Sequence, residues 1–509
     1  MAAPGPVVLS STQASIADVV AVADGARVVI DESARDLMER SRQVVQEAVD
    51  RGEPVYGVTT GVGHARDIDR EPYEGERTQA MLVRMHAGAL GPPLGRRVVR
   101  AVMATRLIGL CRGGSGASPA VADMLADLLS NGITPVVPAT SSVGAGDLGA
   151  HALIGLVAIG AGHAEVGEAV VPGDEALSSV GLRPLRLRHK DAIALVSANG
   201  LTLGHGALVL DRAATVLRSA DHVAATSFDA VRGNPSVLDP AVHDAKGIPG
   251  QTAVAARMRS HLEGSRRVAE PASRQDALSF RVAPQVNGAA REILTAAESA
   301  LVRELNAQAD NSLAAAGADR VISNGNFHPI VLALAFESLR IALAHVVHLS
   351  DRRAGTMWDT MIGDAAGSAP DVEADPVARS GLLLRYASAA RSTAADRLAQ
   401  PVTLDVPVLD RGHEDHATNA PAAVDATEAL LDVLLDVLTT EALVAAGLVG
   451  ARPEPPAGEA TLGLLARLRS ALADDVSAPA HEVHRQARRL VASTWSSVPA
   501  AGTGASPDR

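Results

Sequence analysis

Tyr56 lies in Val55-Tyr56-Gly57-Val58-Thr59-Thr60-Gly61-Val62-Gly63, a run of small residues in a chain with only three tyrosines. Glycines leave such a loop free to move. A phenol carried on it can take or give a proton at a bound substrate. No Gly-Lys-Ser/Thr follows, so the loop is not a phosphate cradle; the plainer alternative is a surface turn. Arg281 lies in a polar stretch, 274–288, between helical patterns. Taken alone, the stretch could be a loop and nothing more. Arg411-Gly412-His413-Glu414-Asp415-His416 sets two acids between two histidines. With no second ligand group in view, we expect no metal site there. His345 and His348 share a helix face with no carboxylate at ligand spacing, so they read as packing or surface residues. His481-Glu482-Val483-His484 lacks the spacing of a zinc-protease motif. His86 and His151 each sit on an apolar helical pattern and, taken alone, read as core histidines.

These groups need a scaffold, and one stretch organises it: Pro138-Ala139-Thr140-Ser141-Ser142-Val143-Gly144-Ala145-Gly146-Asp147-Leu148. It runs into an apolar pattern over 148–162 that predicts a buried helix. Asp147 stands at the start of that helix, near the positive end of its dipole. Gly144, Ala145 and Gly146 allow two backbone segments to approach closely. Around this centre the pattern predicts a strand pair flanking a helix over 8–30 and a helix over 32–51, stopped by Gly52 and Pro54. Further helices are expected over 78–90, 96–111 and 119–131. A strand-rich excursion follows over 163–190, and Lys190 opens another helix. The helical pattern continues over 202–262, with a loop at 232–235, and then over 329–350, 377–399, 421–446 and 461–473.

The chain has 509 residues, 47% hydrophobic but only 2% aromatic, so its core is expected to be aliphatic and helical. A net charge of −12 argues against a nucleic-acid partner. The single cysteine, Cys111, excludes an intrachain disulfide framework, suits a reducing cytoplasm and reads as a small buried hydrophobe. No basic segment precedes an apolar one at the N-terminus, so no signal peptide is expected. Of the longest apolar runs, 152–162 is too short for a membrane span, and 430–450 is interrupted by Asp432, Asp436 and Glu441.

Several of these motifs, in order, resemble the aromatic amino acid ammonia-lyases: the histidine, phenylalanine and tyrosine ammonia-lyases and related aminomutases. The Tyr56 loop is similar to the family's Tyr-Gly-Val-Asn/Thr-Thr-Gly-Phe-Gly lid, which implies that Tyr56 is the general base. Gln275-Asp276-Ala277-Leu278-Ser279-Phe280-Arg281 and the following Pro284-Gln285-Val286 resemble the segment whose arginine pairs with the substrate carboxylate, a role implied for Arg281, with Gln275 beside it. Asn324-Gly325-Asn326-Phe327-His328 implies that Phe327 lines the ring pocket. His86 falls where histidine-specific members touch the substrate ring. Glu414 matches the glutamate characteristic of those members. Asn199 follows a Lys-Asp-Ala-Ile-Ala-Leu match and inherits a contact to cofactor and substrate, with two more residues before it than the family has. The resemblance extends from 16 to about 488. It implies a mainly α fold with a long central helical bundle and a small mixed N-terminal part. It further implies a homotetramer with active sites built from three subunits. We expect a lid and active-site domain over 1–200, the bundle and C-terminal helices over 201–500, and a disordered tail over 501–509.

The departures fall on the chemistry. In the family, Ser-Val-Gly-Ala-Ser-Gly-Asp-Leu cyclises and dehydrates into a methylidene-imidazolone electrophile, and its serine supplies the methylidene carbon. Here the chain reads Ser142-Val143-Gly144-Ala145-Gly146-Asp147-Leu148, one residue short, with no serine between Ala145 and Gly146. Leu278 replaces a family tyrosine that assists the proton and ammonia steps. The expected activity is therefore carbon–nitrogen bond chemistry on a histidine-like or aromatic L-amino acid, with Tyr56 as base and no prosthetic group. Two alternatives stay open. One is a histidine ammonia-lyase whose electrophile forms from Ser141 or Ser142. The other is a binding protein, or a hetero-oligomer partner of an active paralogue.

Overall fold

The computed structural model describes residues 5–69, 75–365, 376–404, 406–472 and 478–493. It is mainly helical, as expected, with a few short strands. The expected disordered tail, 501–509, lies outside the described residues. The chain forms two compact units, one of 1–211, 296–337 and 401–425, the other of 212–295, 338–400 and 426–509.

In the first unit, strands Val7–Leu9 and Val28–Ile30 pair in parallel. Between them, helix Ile16–Ala23 starts from a reciprocal cap: Ser15 Oγ accepts from Asp18 N–H, and the Asp18 carboxylate accepts from Ser15 N–H at 2.8 Å. Helix Glu32–Asp50 starts on Asp31, whose carboxylate accepts from Ser33 N–H. Its buried face, with Val45, Ala48 and Val49, joins Val55, Val58 and Ala314 in one apolar cluster. Burying Val55 and Val58 fixes both flanks of Tyr56, which itself stays half-buried. The helix expected over 78–90 is Gly75–His86. It stops early because Gly91-Pro92-Pro93 cannot continue a helix. Leu90–Pro93 instead pairs antiparallel with Pro138–Thr140, at the entrance to the central stretch. Helix Leu148–Ala158 follows and is almost wholly buried. The 163–190 region contains the hairpin His163–Val166 and Ala169–Pro172, then helix Gly173–Ser178.

The helix opened by Lys190 runs only from Asp191 to Val196. The chain then breaks at Ser197 and starts again as Gly200–Ala230. Further long helices follow, among them Ala283–Leu305, Ile330–Ala365, Pro376–Leu398 and Ala420–Ala451.

The second unit is held by buried charge pairs. Glu441 and Arg353, both with fully buried side chains, are 2.6 Å apart. The hydroxyls of Ser227 and Ser350 complete the Glu441 carboxylate, each donating at 2.6 Å. The other acids that interrupt the 430–450 run are also paired. Asp432 meets Arg212 and Arg488, and Asp436 meets Arg391 and Arg488. Trp358 donates its ring N–H to Leu382 O and meets Tyr386 edge-on, with ring centroids 6.2 Å apart. Among the described residues, Asp191–Ala230, Ile330–Gly363 and Ala420–Ala451 are long and apolar enough to cross a membrane by length and composition alone.

Candidate active site

The break at 197–199 is what positions the central stretch. Ala198 N–H donates to Gly146 O at 3.2 Å, and Asn199 Oδ1 accepts from Gly146 N–H at 3.2 Å. Gly144 and Gly146 have φ of +80° and +86°, left-handed geometry that glycine adopts without strain. At Gly144 a Cβ would also collide with Thr418 Oγ1. That hydroxyl donates to Gly144 O at 2.7 Å, and Asn419 N–H donates to Val143 O at 2.8 Å. Ala145 stays half-buried and Asn199 is 3% exposed.

Asp147 stands at the start of helix Leu148–Ala158, as expected, and is fully buried, but its carboxylate serves a different helix. Oδ2 accepts from Thr202 N–H at 2.8 Å, in the first turn of Gly200–Ala230, and Oδ1 accepts from Ser142 Oγ at 2.6 Å. Burial pushes this carboxyl's pKa up, and those hydrogen bonds oppose the shift. His151 serves the same helix end, with Nε2 accepting from Gly200 N–H at 3.0 Å. It is a satisfied core histidine. Burial, with help from Arg106, pushes its pKa from 6.5 down to about 3. A base held neutral in the fold but free to protonate when unfolded stabilises the protein above pH 6.5, and that stability is lost as pH falls towards 3. His151 alone is expected to steepen the acid limb by up to about 1.4 kcal/mol per pH unit. His151→Gln, which keeps an acceptor for Gly200, is expected to flatten it. Urea midpoints measured between pH 4 and 6.5 check this; an unchanged slope rejects it.

Tyr56 Oη accepts from Gly63 N–H at 3.0 Å, so the loop closes on its own tyrosine. Burial raises the phenol's pKa above its usual value of 10, and the carboxylates of Glu414 and Asp410 raise it further, while the Gly63 bond and Arg66 pull it down. Beside the loop is a cavity of about 330 Å³, lined among others by Gly57, Gly61, Gln79, Leu82 and His86. His86 Nδ1 donates to Leu82 O at 2.8 Å. Glu414 is half-buried. Burial and Asp410 raise its pKa, and His413 and His86 oppose them. Tyr56, Glu414 and His86 are thus electrostatically linked. Phe327 is half-buried, and the next residue, His328, sets Nε2 3.0 Å from His416 Nδ1. Among the described residues no group of three or more His, Cys, Asp or Glu is placed to hold a metal.

Gln275 and Arg281 belong to the second unit. Arg281 Nη1 donates to Gln275 Oε1 at 3.5 Å, at the end of the short helix Leu278–Arg281. Two participants were not singled out from sequence. Asp410 shares a turn with Glu414 but adopts a left-handed φ of +47° that no motif announces. Thr202 is an ordinary helix residue until the break at 197–199 turns its N–H toward Asp147.

A model of the family "Aromatic amino acid lyase" matches residues 14–470. The chain is 35% identical to the histidine ammonia-lyase of Symbiobacterium thermophilum over 92% of its own length and 95% of that protein's. It is 36% identical to the histidine ammonia-lyase of Streptomyces coelicolor, over 86% of each. Among solved structures, the ergothioneine degrading enzyme ergothionase of Treponema denticola superposes with a TM-score of 0.88 at 25% identity, covering 96% of this chain and 98% of that one. Histidine ammonia-lyase of Trypanosoma cruzi superposes at 0.85 and 24% identity, covering 96% and 93%. The long helices that frame the break at 197–199 are thus a shared scaffold, and the chain belongs to the aromatic amino acid lyase family, with histidine ammonia-lyases among its relatives.

Proposed function

We propose that the chain is a carbon–nitrogen lyase for a histidine-like L-amino acid or derivative, with Tyr56 as base and without the methylidene-imidazolone electrophile. The observation that carries this reading is segment 142–147. The electrophile requires a hydroxyl to leave as water from a residue between alanine and glycine. Here Ala145 runs directly into Gly146, and Asp147 follows. The residues present do not fit the group. Ser142 Oγ is engaged on both sides, donating to Asp147 and accepting from Gly144 N–H at 2.9 Å. Val143 follows it rather than the glycine whose amide would attack.

Without an electrophile, the amine must be a competent leaving group by itself. A quaternary ammonium meets that need, because it departs as a neutral amine. The elimination then balances. Tyr56 phenolate takes a β-proton, the C–H electron pair becomes the Cα–Cβ double bond, and the Cα–N pair leaves with the amine. In the unliganded chain the phenol is held protonated. A cationic nitrogen bound near Glu414 and Asp410 reverses that field and favours the phenolate. His86, which lines the cavity, and Glu414, which it influences electrostatically, give the site an imidazole-compatible polarity. The likeness to the ergothioneine degrading enzyme of Treponema denticola, at a TM-score of 0.88 over 96% of this chain, supports a substrate other than plain histidine.

We infer a homotetramer in which Arg281, with Gln275, comes to the site from another subunit and pairs with the substrate carboxylate. In support, the apolar window of helix Ile330–Gly363 is only 56% buried within one chain, against 89% in each of the other two. We place the enzyme in the cytoplasm, with neither nucleic acid nor membrane as partner.

Intact mass and turnover test the reading together. We expect the unmodified translated mass, elimination from the Nα-trimethyl betaine of histidine, and little from histidine itself. A mass two waters lower, localised to the peptide spanning 141–147, overturns it in favour of a conventional histidine ammonia-lyase. Binding of both compounds with turnover of neither overturns it in favour of a non-catalytic partner.

A further inference from the structure

The lid loop is gripped from outside by a residue that belongs to none of the matched motifs. Asp410 Oδ1 lies 3.2 Å from Nδ1 of His64, the residue after Gly63. Its Oδ2 faces Gly63 so closely that a Cβ there would stand 2.7 Å away, and this oxygen is buried with no hydrogen-bond partner. Gly63 is the residue whose N–H holds Tyr56 Oη, and Arg66 Nη1 donates to Gly63 O at 3.3 Å. Asp410 is itself set by a tight turn. Leu409 N–H donates to Glu414 O at 2.8 Å, and His413 N–H to Asp410 O at 3.1 Å. Both Asp410 and Arg411 take left-handed φ values, +47° and +59°, which non-glycine residues adopt only when their surroundings enforce them. A strained turn that delivers one carboxylate onto two consecutive residues of the Tyr56 loop has a specific effect: it fixes where the loop can rest.

We propose that Asp410 is a positioning residue for Tyr56, latching the lid through His64 and Gly63 and setting the phenol in register with the Glu414 turn. This rests on the reading of Tyr56 as the base, but the latch has readouts that do not need turnover. The groups that face Tyr56 are the Gly63 N–H, Glu414, Asp410 and Arg66. Removing the Asp410 charge therefore lowers the phenol's pKa, provided Asp410 sits where the structure puts it.

The test uses the full-length protein. Tyrosine ionisation is followed by ultraviolet difference titration. With three tyrosines in the chain, subtracting the curve of Tyr56→Phe isolates Tyr56. Amide exchange over 57–66 is measured on the same samples. In Asp410→Asn we expect Tyr56 to titrate at lower pH, with the loop still protected, because the amide oxygen still accepts from His64. In Asp410→Ala and His64→Ala we expect exchange of 63–66 to accelerate at least tenfold. His64 is exposed, so His64→Ala leaves the turn intact if Asp410→Ala folds poorly. With the betaine as substrate, kcat is expected to fall while KM stays within about twofold. Superimposable Tyr56 titrations in wild type and Asp410→Asn, or unchanged exchange in His64→Ala, overturn the latch. Full activity in Tyr56→Phe overturns the base assignment instead, and leaves the titration and exchange results to decide the latch.

Discussion

Tyr56→Phe is expected to lower kcat by about 10²–10⁴ while leaving substrate affinity nearly unchanged, the range for loss of a positioned proton acceptor. The variant removes one oxygen from a half-buried site. Its structural cost is the Gly63 N–H, which loses an acceptor worth about 1 kcal/mol. The fold and the cavity walls, including Gly57, Val58 and His86, remain. Steady-state rates beside equilibrium binding of the same substrate separate the two effects. A fall in affinity with kcat retained would make Tyr56 a binding group. Retention of both would move the base elsewhere. The wild-type kcat profile is expected to rise with pH through the ionisation of Tyr56. Occupation of the pocket by a cation is expected to draw that ionisation below the value in the free enzyme, because the substrate's charge opposes Glu414 and Asp410.

Asp147→Ala is the substitution expected to damage the fold most. It leaves the Thr202 N–H and the Ser142 hydroxyl without their acceptor, in a site from which water is excluded. Each unpaired donor costs about 1–3 kcal/mol, so a loss of about 3–5 kcal/mol is expected. It also frees the first turn of Gly200–Ala230 from the segment that carries Gly146. Asp147→Asn keeps one acceptor and is expected to lose about half as much. Denaturant unfolding of both variants is the check. A loss below about 1 kcal/mol in Asp147→Ala would show that Asp147 is not the tie between the two segments.

Most of the helical scaffold was legible from sequence, because apolar periodicity and Gly/Pro stops act locally. The 96–111 helix was expected where it is found, and the 32–51 helix differs by one residue. What was not legible depends on contacts far apart in sequence. Ser197-Ala198-Asn199-Gly200 separates the helix opened by Lys190 from the pattern resuming at 202, but what holds that break is not written there. The break is stabilised by Gly146 and Asp147, about fifty residues earlier. Leu90–Pro93 became a strand because Pro138–Thr140 is there to pair with it. Asp147 could be placed at a helix start, but which helix it caps is a tertiary fact. Asp410 was invisible, because its role comes from a backbone conformation rather than a residue pattern. Resemblance supplied the roles of Tyr56, His86 and Glu414, and the fields that link them emerge only from burial and proximity.

The scarcity of aromatic side chains gives the protein a built-in optical division. Trp358, edge-on to Tyr386, belongs to the second unit. The emission of Trp358 therefore follows the melting of that unit, whereas the phenol absorbance of Tyr56, isolated by subtracting the Tyr56→Phe curve, follows the first. A denaturation experiment on the unlabelled protein can thus be read in two colours, and two midpoints that fail to coincide would time the loss of one unit against the other.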